Sequence, residues 1–175
     1  LSLMDALSSN SIQDDVVNQG TPLVSVSMPV YNAERYIAEA INSILSQTYQ
    51  NFELIIVDDG STDRTREIVE SFDDPRIIKV YSDRNRGLIT TRNRIAQIAR
   101  GKYLALVDAD DCAFPDRLAL QVQFLESNQA DLCGADHWTL NQVTGQLKAS
   151  KQRHSNSDIH ALLSVCSPVC NPAMM

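Results

Sequence analysis

The stretch 52-FELIIVDDGSTDRTREIV-69 decides the fold. It opens on an almost unbroken apolar run, Phe52 to Val57, as a strand covered on both faces should. Asp58, Asp59 and Gly60 end the run, and Ser61 or Asp63 offers an oxygen to cap a helix. Behind the cap, Ile68, Val69 and then Phe72 form one inner stripe. A buried strand, an acidic turn and an amphipathic helix are the parts of a parallel α/β sheet.

The same order recurs on both sides. Upstream, Leu23 to Val30 reads as a strand, and Asn32 can cap a helix with Ile37, Ile41, Ile44, Leu45 and Thr48 at helical spacing. Downstream come a strand at Ile77 to Tyr81, a turn at Asn85 to Gly87, and a helix at Thr90 to Ala99 with Gly101 as its C-cap. Tyr103 to Val107 is a fourth strand, and Pro115 opens a helix through Leu118, Val122 and Leu125. Leu132 to Leu140 reads as another strand, with Leu147 to Ala149 returning antiparallel after a turn at Val143 to Gln146. Ser157 caps a last helix through Ile159 and Leu163. Residues 1–20 read as a polar tail with a short helix around Ser2 to Leu7, leaving 21–175 as the domain.

Four strand–helix alternations predict a mostly parallel sheet with right-handed crossovers. Such sheets bind ligands beyond the carboxyl ends of their strands. Three of those ends carry chemistry: Val30-Tyr31-Asn32, Asp58-Asp59-Gly60-Ser61 and Asp108-Ala109-Asp110-Asp111. All three are expected on one edge.

Composition narrows the ligand. The 175 residues carry a net charge of -7, a poor match to nucleic acid or an anionic membrane surface. A phosphorylated ligand would therefore need a metal or a local cluster of cations. No apolar run approaches the ~20 residues of a membrane span, and the start lacks the basic and apolar regions of a signal peptide. It also lacks an initiating Met, which fits a chain excised from something longer. Cys112, Cys133, Cys166 and Cys170 are scattered, which suits reduced thiols in the cytoplasm better than a disulfide framework or a zinc site.

The loop 106-LVDADDCAFPDRL-118 gathers Asp108, Asp110 and Asp111 within four positions. A solvated helix-entry loop explains one of these carboxylates, through the helix dipole, but not three. Hard divalent cations such as Mg2+ or Mn2+ take oxygen ligands, commonly one or two carboxylates plus substrate phosphates. In 57-VDDGSTD-63 a turn competes with a carboxylate that meets a nucleobase N–H or a ribose hydroxyl. In 84-RNRGLITTRN-93, Arg84 belongs with Arg94 on a solvated face, whereas Arg92 could pair with Asp58, Asp59 or a diphosphate. His137, His154 and His160 show no ligand spacing and are assigned to loops or strand faces.

Three blocks together, 26-VSMPVYNAERYIAEAINSILSQTYQNFELIIVDDGSTDRT-65, 85-NRGLITTRN-93 and 104-LALVDADDCAFPDRL-118, resemble the inverting family 2 glycosyltransferases. The resemblance runs from about Leu23 to Leu125 and implies the GT-A fold, a Rossmann-like sheet flanked by helices. It implies roles as well. Pro29, Val30 and Tyr31 would line the nucleobase pocket, Asp58 or Asp59 would contact the base, with Asp59 preferred, and Arg92 would stand near the nucleotide. Asp108 and Ala109 would face the ribose or donor sugar. Asp110 would ligate Mn2+ or Mg2+, with Asp111 supporting it or approaching the sugar. The implied partners are a nucleotide-sugar donor, UDP by preference, and a saccharide or lipid-linked acceptor. Such work is often done at the inner face of the cell membrane.

The family's base comes from a later acidic motif. After Asp136 only Asp158 carries a carboxylate, and the chain stops at 171-NPAMM-175, so base and acceptor half are expected beyond Met175. Two rivals remain. One is a nucleotide-sugar-binding module without turnover. The other is a response-regulator receiver, which 54-LIIVDDGS-61 resembles. A nicotinamide domain would need a G-x-G-x-x-G turn that no strand supplies.

Overall fold

A computed structural model describes residues 22–150 and 171–175. The polar tail, the Ser157 helix, His154, His160, Cys166 and Cys170 lie outside the described residues. The elements run β1 (Val24–Val30), α1 (Ile37–Leu45), β2 (Phe52–Asp58), α2 (Thr65–Glu70), β3 (Ile77–Tyr81), α3 (Leu88–Ile98), β4 (Tyr103–Leu106), α4 (Arg117–Asn128), β5 (His137–Leu140) and β6 (Leu147–Ser150). A short 3-10 turn, Asn171–Ala173, follows.

The first four strands form one parallel sheet in the order β3-β2-β1-β4. The period-2 alternation of the strands sorts two cores. Val24, Val26, Met28 and Val30 of β1 pack with Leu54 and Ile56 of β2 against α1, α2 and α4, through Ile41, Val69 and Leu118. On the other face Ile55 and Val57 meet Ile95 of α3. Phe52 to Val57 is thus apolar except at Glu53, because both its faces are covered. The odd positions of β1 are small, Ser25 and Ser27, and the chain comes close there. A Cβ on Gly101 would lie 2.5 Å from the backbone nitrogen of Ser25. Gly101 therefore admits β1, while Ala99 closes α3, so the C-cap expectation is corrected.

Pro29 sits in a central strand, where a missing N–H is normally costly. Ser27 O accepts from Val107 N at 3.0 Å, on the β4 side. The β1–β4 ladder ends at Ser27 and Leu106. Pro29 is the next position aimed that way, beyond the last rung, so no ladder bond is lost.

Two further expectations change. Asn32 does not cap α1, which starts at Ile37 without a side-chain cap. Its φ is 48°, and its Oδ1 accepts from Thr62 N at 2.8 Å instead. Of Leu132 to Leu140 only His137–Leu140 is strand. It pairs antiparallel with β6 as a two-stranded hairpin, as the turn at Val143 to Gln146 implies. The residues before it serve another contact, because Cys133 and Met175 exchange backbone hydrogen bonds at 2.9 and 3.0 Å. Leu106 N donates to Met174 O at 2.9 Å, bringing the terminal residues beside β4.

Candidate functional site

Strand order reverses between β1 and β4: β2 and β3 follow β1 on one side, and β4 lies on the other. Such a switch point leaves a crevice beyond the strand ends. Because all four strands are parallel, Tyr31, Asp58–Asp59 and Asp108–Asp111 emerge on the same edge, as the sequence predicts. Pro29 and Val30 are buried within β1, and Tyr31 emerges 48% exposed.

Most of V-D-D-G-S-T-D is spent on holding two loops together. Asp58 Oδ1 accepts from Ser61 N at 3.0 Å and from the Ser61 hydroxyl. Ser61 Oγ accepts from Asn32 N at 2.9 Å, and Thr65 Oγ1 from Ala33 N at 2.7 Å. Asp63 accepts from Glu34 N at 3.1 Å, and Glu34 from Arg64 N at 2.9 Å. The Asp63 carboxylate also takes Thr65 N at 3.0 Å, at the start of α2.

Asp59 reaches the other way. It is 4% exposed and accepts from Arg86 N at 3.0 Å and Gly87 N at 2.8 Å, which fixes the turn leading into α3. Its outer rim lines a cleft of about 210 Å³ with Tyr81, Ser82, Arg86 and Thr91. Asp59→Asn turns an N–H toward those donors and is expected to cost about 1–3 kcal/mol, read from the urea midpoint. An unchanged midpoint would show that the turn holds without the carboxylate.

Arg92 pairs with Asp108 at 3.0 Å, neither with Asp58 nor with Asp59, which corrects one expectation. Its Nε is enclosed and finds no partner among the described residues. Ala109 is buried, and Asp111 N donates to Asp108 O at 3.2 Å, curling the loop so that Asp110 and Asp111 both reach the surface. Among the described residues neither carboxylate makes a hydrogen bond or ion pair. Partial burial pushes the Asp111 carboxyl up, the charges of Asp110 and Asp108 add to this, and Arg117 and His137 oppose it. The negative charge there is offset only in part.

No cluster of three or more His, Cys, Asp or Glu among the described residues could hold a metal ion by itself. Two unpartnered carboxylates still fit a hard divalent cation that takes its other oxygens from a ligand's phosphates and water. An all-protein cage does not fit.

A second, larger groove of about 1250 Å³ adjoins the acidic loop, with Asp110 and Asp111 on its wall. The β5–β6 hairpin borders it, and the hairpin tip is tied across to the start of α1 by Tyr36 OH donating to Gln142 Oε1 at 2.9 Å. His137 lies on this hairpin, half-buried, with its Nδ1 enclosed and unpartnered among the described residues. The histidine is on a strand face, as expected, and its charge also bears on Asp111. No local spacing links His137 to Asp111, so the sequence held no signal for it. Cys112 also lines the groove. Burial, with Glu39 and Asp111, pushes its thiol up, so it stays protonated and inert near neutrality.

A crevice at a β1/β4 switch point, walled by acidic turns, is a ligand site of the nucleotide-binding α/β class. The chain belongs to glycosyl transferase family 2, whose profile matches residues 25–166. Glycosyltransferase GlyG of Streptococcus pneumoniae is 34% identical over 125 residues, covering 70% of this chain and 42% of GlyG. Among solved structures, S. aureus TarS in complex with UDP-GlcNAc superposes with a TM-score of 0.60 at 33% identity, over 62% of this chain and 32% of that one. The mannosyltransferase PcManGT from Pyrobaculum calidifontis, in complex with GDP-Man and Mn2+, gives a TM-score of 0.57 at 29% identity over 64% and 34%. The fold is therefore GT-A. The chain spans well under half the length of each of these relatives.

Proposed function

We propose that this chain is the donor-binding half of a metal-dependent inverting glycosyltransferase. One observation carries the reading. Asp58, Asp59 and Asp108 have partners inside the protein, whereas Asp110 and Asp111 have none among the described residues. Those two carboxylates are the ligands for Mn2+ or Mg2+. A cation held by Asp110 and Asp111 would supply charge that offsets the diphosphate as the sugar–phosphate bond breaks. Arg92 keeps its spare Nε donor for the same phosphates or the ribose, with Asp108 fixing its guanidinium. Asp59, with lone pairs left over from the turn, takes an N–H of the base. Tyr31 flanks the base beyond β1, where Pro29 and Val30 form the floor. Ala109 keeps the loop close to the sugar.

The donor is a nucleoside diphosphate sugar, with UDP preferred since TarS is complexed with UDP-GlcNAc and shares 33% identity. An acceptor hydroxyl attacks C1 from the face opposite the diphosphate, which inverts the configuration. A carboxylate base outside the described residues takes its proton. No helix among the described residues is long and apolar enough to cross a membrane. We place the reaction in the cytoplasm, at the inner face of the cell membrane where polysaccharide is built.

Calorimetric titration with UDP and GDP, with and without Mn2+, tests the reading. Binding should require Mn2+, and Asp110→Ala should weaken it at least tenfold, about 1.4 kcal/mol. Binding that ignores both Mn2+ and Asp110→Ala would sink the metal assignment. An absence of nucleotide binding under every condition would sink the reading as a whole.

A further inference from the structure

We infer that Gln47 is a positioning residue for the cation carried by Asp110 and Asp111, acting through the loop that follows them. The inference rests on the metal-dependent reading above and deepens it by naming what holds the two carboxylates in place.

Asp110 and Asp111 are exposed, and their carboxylates make no hydrogen bond or ion pair among the described residues. Their position is therefore set by the chain on either side. Upstream, Asp108 pairs with Arg92 at 3.0 Å and Ala109 is buried. Downstream, Ala113 to Leu118 run along the end of α1, where Ser43, Gln47 and Thr48 tie them down. Ser43 Oγ accepts from Ala113 N at 3.1 Å, two residues after Asp111. Thr48 N donates to Pro115 O at 2.9 Å, and its hydroxyl to Asp116 Oδ1 at 3.2 Å.

Gln47 is the centre of this clamp. It is 1% exposed. Its Nε2 donates to Phe114 O at 2.7 Å and to Ser43 O at 3.1 Å, and its Oε1 accepts from Leu118 N at 3.0 Å. Both amide hydrogens and the oxygen are used, and the flipped amide would set like against like at all three. Leu118 N belongs to the first turn of α4, whose N–H groups have no intrahelical carbonyl to reach. Asp116 stands at the cap position without making a capping bond, so α4 takes its cap from the end of α1. Between the anchors at Asp108 and Ala113 lie four residues, Ala109 to Cys112. A shift of the downstream anchor passes through so short a span to both carboxylates. A divalent cation tolerates little error in its ligand distances, so the shift registers as lost affinity.

Electron paramagnetic resonance of Mn2+ at saturating UDP tests this. The free-ion signal gives the affinity, and the spectrum of the bound ion reports its ligand geometry. Gln47→Met keeps the side chain's length and removes the amide. It is expected to weaken Mn2+ binding about tenfold, the low end of what losing a supporting hydrogen bond costs a metal site, and to alter the bound spectrum. Ser43→Ala, which leaves Gln47 in place, should act in the same direction by about threefold. Glu53→Gln lies on the α3 face of the sheet, opposite α1, and controls for lost stability. Its Mn2+ affinity and spectrum should match the parent's. Mn2+ that binds through Asp110 yet ignores Gln47→Met and Ser43→Ala would overturn this inference and spare the metal assignment. An equal loss in Glu53→Gln would overturn it as well, since instability alone would then explain the effect. If Gln47→Met does not fold, Ser43→Ala decides alone. A parent that holds no Mn2+ would sink the metal assignment and this inference with it.

Discussion

Gly60→Ala is expected to destabilise the protein by about 3–5 kcal/mol, a large share of a typical domain's stability. Two penalties add. Gly60 holds φ at +76°, where an alanine Cβ crowds its own backbone. That Cβ would also lie 2.6 Å from the backbone carbon of Arg84 and 2.9 Å from Asn85 N. The colliding atoms are main chain, so no rotamer change relieves them. The Arg84–Asn85 segment is itself pinned, because Arg86 and Gly87 donate to Asp59. Relief must therefore come from pulling Asp59 off the turn, which disturbs the cleft as well. Urea unfolding of the variant and of the parent measures the first effect, and UDP titration measures the second. A loss under about 1 kcal/mol would mean that the Arg84–Asn85 backbone gives way freely.

The strands were legible because burial on two faces leaves little but apolar residues. Ile77 to Tyr81 is found at its expected bounds, and Phe52 to Val57 falls one residue short of β2. Parallel pairing then places two acidic turns and the Tyr31-Asn32 turn on one edge, and that follows from the alternation alone. Partners across loops were not legible. Asn32 reads as a helix cap because Asn commonly caps helices, and only the approach of the β2–α2 loop reveals that it serves Thr62. Arg92 faces Asp108 rather than Asp58 or Asp59 because β4 lies on the far side of β1, a fact of strand order that spacing does not encode. His137 is a sharper case. Its charge bears on Asp111 only because the hairpin folds back beside the acidic loop. Motif letters therefore overstate chemistry in one place and miss it in another. In V-D-D-G-S-T-D, Ser61 and Asp63 mainly tie loops, while His137, whose charge bears on Asp111, belongs to no motif at all.

Glu53→Gln is expected to cost about 2–3 kcal/mol at pH 7, from a residue at the end of the sheet remote from the site. Glu53 is 3% exposed at the start of β2. Its Oε1 accepts from the Ser25 hydroxyl at 2.6 Å and from Arg100 N at 2.8 Å, and its Oε2 takes the Arg100 guanidinium at 2.6 and 2.8 Å. The Ser25 hydroxyl in turn accepts from Gly101 N at 2.8 Å, so one carboxylate organises the α3–β4 connection. A glutamine keeps the shape but turns an NH2 toward the guanidinium. Arg100 is 57% exposed and stays hydrated after the change, which holds the loss below that of a fully buried pair. Burial raises the Glu53 pKa, but the bonds from Ser25 and Arg100 outweigh it and hold the carboxyl below its ordinary 4.5. A carboxyl depressed on folding stabilises the protein above its unfolded pKa and loses that contribution as pH falls through the folded value. Urea melts at pH 7, 4.5 and 3 should therefore show the parent losing stability more steeply than Glu53→Gln below pH 4.5, with the gap closing toward pH 3. Parallel curves, with the gap constant at every pH, would show that the charge on Glu53 contributes nothing and that the variant loses hydrogen bonds alone.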